Sequence, residues 1–354
     1  MYNNSLSSNT YESLYESVLS TKVKILKVGI PIIKTWQNLA FPLSIICTDN
    51  KSKDWFYSNF IHIYALESSM SNDLDISFNV QLYEDNIYNL YKETMMIETM
   101  KNFNSDIINI IINCINNNKY IITFIDEYYV PFSLAFQEWH FNHDFFIIGY
   151  KLPEKKLITM GYGNDSQYRI REVSFDNFNH AWSSEHLNVS QPFQLYQWHD
   201  DNYMLPYKFD ISFIKDSIAI YLSGEDPLHY NKHIYNNDIK KVYGVFVYQK
   251  INEYISNNYE NNLSFDIKVF YLLYEHKKCM FRRIMYLKER CFLYDCDELL
   301  NGFLDIEKET EIIINLVIKY NLTKNMNIVN RIKTKLQIIE YNEKRYLNLL
   351  LNKI

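Results

Sequence analysis

The sequence predicts an α+β chain whose first half mixes strands with helices and whose second half is mostly helical. Three observations carry this. Between Tyr120 and Val173, two short apolar runs (Tyr120–Ile125 and Phe145–Ile148) are bounded by turn residues, as buried strands are, and Leu157–Met160 and Tyr168–Val173 read as two further short strands. The composition changes near residue 200. From Ile239 onward, apolar residues recur at helical spacing.

Taken in order, residues 1–20 are rich in Ser and Asn and read as a loose or weakly helical arm. Val23–Val28 alternates apolar residues with Lys and predicts a half-exposed strand. Leu43–Cys47 (LSIIC) reads as a buried strand ended by Thr48-Asp49-Asn50. Asp54–Ser69 carries Phe60, Ile61, Tyr64, Ala65 and Ser68 at helical spacing, with Asp54 or Ser58 as its cap. Leu74–Tyr83 alternates as a strand. Asn86–Asn118 reads as mostly helical, broken near Asn102–Asn104, with Ile107, Ile108, Ile111 and Ile112 on one stripe of the second piece. Lys151–Lys156 is a hairpin turn around Pro153, which makes Phe145–Met160 a β-hairpin. Ser174 is placed to cap the helix that follows Tyr168–Val173. Gln191–Asp201 reads as a connector. In the helical half, Val247, Ile251 and Tyr254 share a face, as do Leu273, Met280, Ile284 and Leu287 within Phe270–Arg290. Glu311–Tyr320 and Ile332–Leu351 close the chain, the last aligning Ile332, Leu336, Ile339, Tyr346 and Leu350. No repeat of fixed period is present.

The 354 residues allow one large domain or two, and the composition change divides the chain into 20–200 and 201–354. Hydrophobic residues make up 47%, enough to bury a core. The net charge of -6 and the lack of a basic stripe argue against nucleic acid, whose phosphates require clustered Lys and Arg. No apolar run approaches a membrane span, so no membrane partner is expected. The five cysteines are irregularly spaced with no CxxC pair, and the start of the chain is polar and acidic. Both point to a cytoplasmic protein with reduced thiols.

The chemistry-bearing residues gather between two of the strands. Asp126 and Glu127 end the run Tyr120–Ile125. His140-Phe141-Asn142-His143-Asp144 runs into Phe145–Ile148. His143, just ahead of a strand, reads either as a general base or as a strand-end histidine bonded to backbone. Asp126 and Glu127 either orient His143, bind a cationic substrate group, or form a solvated strand end. His140 lies three residues before His143, but HFNH lacks a third ligand, so no metal is expected. Asp126, Tyr128 and His140 are the substrate-binding candidates. Ser58 is the hydroxyl best placed near a helix start, as a nucleophile or simply as a cap, and Asn164 or Asp165 reads either as the group that orients a histidine or as part of a glycine turn. Gly161–Asp165 matches neither a phosphate loop nor a dinucleotide fingerprint, and no cofactor is expected. Lys277, Lys278, Arg282 and Arg283 read either as an ordinary solvated helix face or as a local positive patch that would meet an acidic carrier protein or a phosphate.

The segments Ile125–Pro131 (IDEYYVP), His140–Asp144, Gly149-Tyr150 and Ser174–Ala181, with Val242–Tyr248, Tyr274–Lys278 and Ile284–Leu287, resemble the butirosin biosynthesis protein H family over roughly residues 25–290. The resemblance implies a papain-like (cysteine-protease-like) domain followed by a mostly helical C-terminal region. It also implies acyl transfer from a carrier-protein thioester to an amine, in specialised-metabolite or nonribosomal-peptide biosynthesis. In that chemistry Cys attacks the thioester, His is the base, and Asp or Asn orients the His. The histidine carries over onto His143. The cysteine would start the first central helix, placed here near Asp54–Ser58, where there is none, and Gly161–Asn164 occupies the region of the acidic residue. The resulting expectation is an acyltransferase relative with an incomplete triad of His143, Ser58 and Asn164. Its alternative is a catalytically inactive papain-fold protein that binds an acyl or peptidyl carrier protein or a peptide.

Overall fold

A computed structural model describes residues 22–66, 73–80, 86–103, 106–199, 207–227 and 241–354. The chain divides into two compact units: Met1–Pro31, Gln37–Asp49 and Tyr83–Leu205 form one, and Ile32–Trp36, Asn50–Leu82 and Pro206–Ile354 form the other. Ile32–Trp36 and Asn50–Leu82 thus belong with the helical unit. The arm over 1–20, residues 67–69 of the helix expected at Asp54–Ser69, residues 81–83 of the strand expected at Leu74–Tyr83, and Ile239 lie outside the described residues.

In chain order the elements begin with β1 (Val23–Ile25), α1 (Gln37–Ile46), α2 (Ser52–Asn59), β2 (Ile63–Leu66) and β3 (Ile76–Phe78). Then come β4 (Asn86–Ile87), β5 (Leu90–Met96), α3 (Ile97–Asn102), α4 (Ile107–Asn116), β6 (Tyr120–Asp126) and a 3-10 turn, Glu127–Tyr129. β7 (Asn142–Lys151), β8 (Lys156–Gly161), β9 (Arg169–Ser174), α5 (Phe175–Ser183) and β10 (Pro192–Trp198) complete the first unit. The second continues with α6 (Ile211–Ser223), β11 (Lys241–Tyr243), α7 (Val247–Glu260), α8 (Ile267–Glu289), α9 (Asp297–Thr323) and α10 (Met326–Lys353). The protein is therefore α+β, with an antiparallel sheet and a helical C-terminal region.

The first unit is built on one sheet in the order β4-β5-β10-β6-β7-β8-β9, with every pairing antiparallel. Its hub is β7. Ten residues long, it pairs with β6 at its start, with β8 through the hairpin, and with β1 near its end. Gly149 makes the last pairing feasible, because a Cβ there would lie 2.4 Å from the Lys24 carbonyl oxygen. Alternation along β7 gives the sheet two buried faces. Phe146 meets Phe41 of α1 at 5.1 Å between ring centroids, and Phe145 meets Phe178 of α5 at 6.1 Å. Helix α4 buries the expected isoleucine stripe and is capped by Asp106, whose carboxylate accepts from the Ile108 amide at 2.9 Å. Ser174 caps α5 as expected, accepting from Asn177 N at 3.1 Å.

The second unit joins the small sheet β11-β2-β3 to α2 and α6–α10. Helix α8 is apolar on the expected positions, yet Glu275, His276, Lys277 and Arg283 are buried as well. Lys277 and Arg283 therefore leave the expected solvated face and positive patch, whereas Arg282 is exposed and Lys278 half-buried. Arg283 donates to the Tyr57 and Phe60 carbonyls at 2.6 and 2.7 Å. Lys277 meets both Glu343 oxygens at 2.6 and 2.7 Å, and Tyr248 also donates to Glu343 at 2.8 Å. His276 donates from Nε2 to Ile61 O and accepts the Lys277 ammonium at Nδ1, 3.0 Å away. Burial, and then Lys277, hold its pKa well below the ordinary value, so it is neutral as those two bonds require.

Four local expectations are revised. Leu43–Cys47 is the end of helix α1 and its exit, not a strand. Asp54–Ser69 is helical only to Asn59 and then enters β2. Asn86–Met96 is a hairpin ahead of α3. Gln191–Asp201 contains β10, which lies between β5 and β6 inside the sheet. Among the described residues no helix is long and apolar enough to cross a membrane.

Candidate functional site: two carboxylate–histidine pairs at adjoining strand ends

Strand β6 ends where β7 begins, with Ile125 opposite His143 and Asp126 opposite Asn142. This register brings the two adjacent carboxylates beside the two histidines of HFNH. Each carboxylate takes one of them.

Asp126 is fully buried and accepts four hydrogen bonds. Its Oδ2 receives Ser184 Oγ at 2.6 Å and His140 Nδ1 at 2.7 Å; its Oδ1 receives the Tyr128 and Phe141 amides, each at 3.1 Å. Burial alone would raise its pKa. The bonds from Ser184, His140, Tyr128 and Phe141 outweigh that and hold it below the ordinary carboxylate value. The carboxylate is thus ionised, which places the proton of neutral His140 on Nδ1. The His140 ring is stacked between Tyr128, at 4.4 Å, and His186, at 3.7 Å between centroids. Its Nε2 makes no hydrogen bond among the described residues.

Glu127 faces the other histidine. Its Oε1 lies 2.9 Å from His143 Nδ1, and its Oε2 accepts Ser133 Oγ at 2.5 Å. Phe141 stacks on His143 at 5.0 Å. His143 Nε2 lies 3.4 Å from Asp144 Oδ1. The Gln37 amide nitrogen, on the first residue of α1, donates to Asp144 Oδ1 at 2.8 Å and stands 3.5 Å from His143 Nδ1. The Tyr162 amide donates to Oε1 of the Gln37 side chain at 3.3 Å. Burial pushes the Asp144 carboxyl up, opposed by His143 and by the Gln37 bond. Both His143 nitrogens therefore already face polar groups, and its side chain is 37% exposed.

Of the residues singled out from the sequence, Asp126, Tyr128 and His140 form one contiguous cluster, and His143 forms a second with Glu127. Ser58 and Asn164 join neither. Ser58 belongs to the other unit, stands at the last turn of α2 rather than at its start, is buried, and donates to the Asp54 carbonyl at 2.7 Å. Asn164 is exposed at its side chain and uses its backbone amide on the Phe132 carbonyl at 2.7 Å; the carboxylate that meets His143 Nδ1 is Glu127. Asp165 pairs with Arg169 and Arg171. Among the described residues no group of three or more His, Cys, Asp or Glu side chains is arranged to hold a metal ion.

No protein-family model matches this chain, and neither does any curated protein.

Gln37 carries no signal in the sequence, because the apolar run after it, Leu43–Cys47, reads as a strand. Read as a helix, Gln37–Ile46 would have directed attention to its first turn, where backbone N–H groups are free and a ligand or an anion is favoured. The unit's cysteines stand elsewhere. Cys47, at the far end of α1, is about 15 Å of helix from Gln37, and its thiol turns to the Ser44 carbonyl. A helix C-terminus disfavours a thiolate. Cys114 lies in α4, where burial pushes its thiol up.

Proposed function

We propose that this chain is a papain-like-fold relative of the butirosin biosynthesis protein H family that holds a carrier-borne acyl thioester, or a peptide-like ligand, without capturing it covalently. The observation that carries this reading is Gln37. In the fold implied by the resemblance, a helix start faces a histidine at a strand start and supplies the nucleophile. Here the first residue of α1 is beside His143, and it carries an amide that is bonded to Asp144. An amide does not attack a thioester, but it donates and accepts hydrogen bonds with the carbonyl and N–H groups of an acyl-pantetheine arm. The expected setting is cytoplasmic specialised metabolism, with an acyl or peptidyl carrier protein as partner.

Intact-mass measurement after incubation with acyl-pantetheine thioesters tests the reading. The expected result is no mass increase under conditions where the thioester binds saturably. An acyl adduct mapping to Cys47, Ser58 or any other side chain of the unmodified protein would overturn it.

A second reading is favoured by the carboxylate–histidine pairs themselves. The same site would pass the acyl group directly from thioester to amine, with an imidazole as base and no acyl-enzyme. It is told from simple binding by amine-dependent release of free pantetheine thiol.

A further inference from the structure

We propose that His140, held by Asp126, is the proton acceptor of this site, and that the group it serves is the primary amine of an acyl acceptor. This rests on the second reading above and names the base within it.

The two histidines differ in what their nitrogens have left to offer. His143 sits between Glu127 at Nδ1 and Asp144 at Nε2, with the Gln37 amide alongside. With Glu127 bonded at Nδ1 and Asp144 3.4 Å from Nε2, His143 is the less available of the two for a ligand's proton. His140 has one carboxylate partner. Asp126 fixes Nδ1–H, and a lone pair remains on Nε2 with no protein partner among the described residues. This is the arrangement in which a buried carboxylate sets the tautomer and steadies the imidazolium that forms.

Two further features make the pair a positioned base rather than a surface histidine. Asp126 is itself fixed by Ser184 and by the Tyr128 and Phe141 amides, so it cannot swing away. The ring is clamped on its faces by Tyr128 and His186. The ring atom left without a protein partner among the described residues is Nε2, which a hydrogen-bond donor can approach. The side chain is 35% exposed, enough for a ligand to reach it.

The step balances as follows. The free amine attacks the thioester carbonyl carbon, a C–N bond forms, and the amine proton passes to His140 Nε2. The tetrahedral intermediate collapses, the C–S bond breaks, and the departing thiolate takes the proton back from Nε2. An amide and a free thiol are released, and the dyad is unchanged.

The test is thiol release from acetyl-pantetheine with glycinamide as acceptor, read alongside thioester binding by calorimetry. Wild-type protein is expected to release thiol only when amine is present. His140→Gln should lower kcat at least tenfold with little change in the KM for the thioester, and added imidazole should restore part of the rate in His140→Ala. His143→Gln should act mainly on KM. Release that survives in His140→Gln, or thioester binding with no amine-dependent release in wild type, would overturn the assignment of His140 while leaving the binding reading in place. Absence of thioester binding would overturn both.

Discussion

Asp126 is the residue on which the candidate site turns. A carboxylate with no exposure is tolerated because four donors converge on it. Asp126→Asn replaces one acceptor oxygen with a donor that must face one of those donors. Leaving such a buried bond unmade costs about 1–3 kcal/mol, more where charge is involved. The variant should therefore unfold at lower urea concentration, and His140 should lose its preference for the Nδ1–H tautomer, read by 15N NMR. Unchanged stability and tautomer would mean that Asp126 does not hold the ring. The sequence showed which residue types would meet here, since both acid residues and both histidines stand at strand ends. It did not show the pairing. Which carboxylate takes which imidazole depends on the register of β6 against β7 and on where the chain carries Glu127 and His140 beyond those strands, which the residue types alone do not fix.

At the scale of elements, β7 and the hairpin to β8 were legible because a buried strand, a Pro-containing turn and a second strand are each signalled locally. Helix α1 was not. An apolar run of a few residues fits a buried strand and a buried helix equally well, and Pro42 inside it argues against a helix by removing one backbone bond. Burial of eight of its ten residues outweighs that loss. Strand β10 was missed for a related reason: its polar and aromatic residues read as a connector, although pairing with β5 and β6 on both edges makes it central. Where the local signal is strong, its worth is measurable. Ser174→Ala removes the cap of α5, which carries Phe178 and Trp182 onto the sheet. The expected loss is about 1 kcal/mol in urea unfolding, and a loss near zero would mean that water or the following turn satisfies the freed amide.

At the scale of the whole molecule, the change of character near residue 200 was visible in composition, but the return of Ile32–Trp36 and Asn50–Leu82 to the helical unit was not. Such long-range choices follow from where charged groups find partners, and no window of sequence contains that. Glu275 of α8 is an example. It accepts the Lys34 and Thr35 amides at 3.0 and 3.1 Å, within its own unit. Burial pushes its carboxyl up to about 7, against the pull of those donors. A folded-state pKa above the unfolded one means that the fold binds the proton more tightly. Its contribution is therefore full below about pH 4.5 and is lost as pH rises through about 7. The span corresponds to on the order of 3 kcal/mol. His62 works in the opposite sense: burial, and then Arg283, lower its pKa to about 4, so its contribution is lost as pH falls below about 6.5. The comparison that isolates Glu275 is wild type against Glu275→Gln, whose stability difference should shift in favour of the variant between pH 4.5 and pH 8. A constant difference would mean that Glu275 is ionised throughout.

The central proposal is that an acyl-thioester ligand is held, uncaptured, beside Gln37, Glu127 and His143, next to His140. Histidine side-chain 15N–1H NMR during titration with acetyl-pantetheine tests it most directly. The account predicts saturable shifts at His140 and His143, with His199 unmoved and every shift reversed on dilution. Shifts confined to other histidines, or a change at His143 that persists after the ligand is removed, would contradict it.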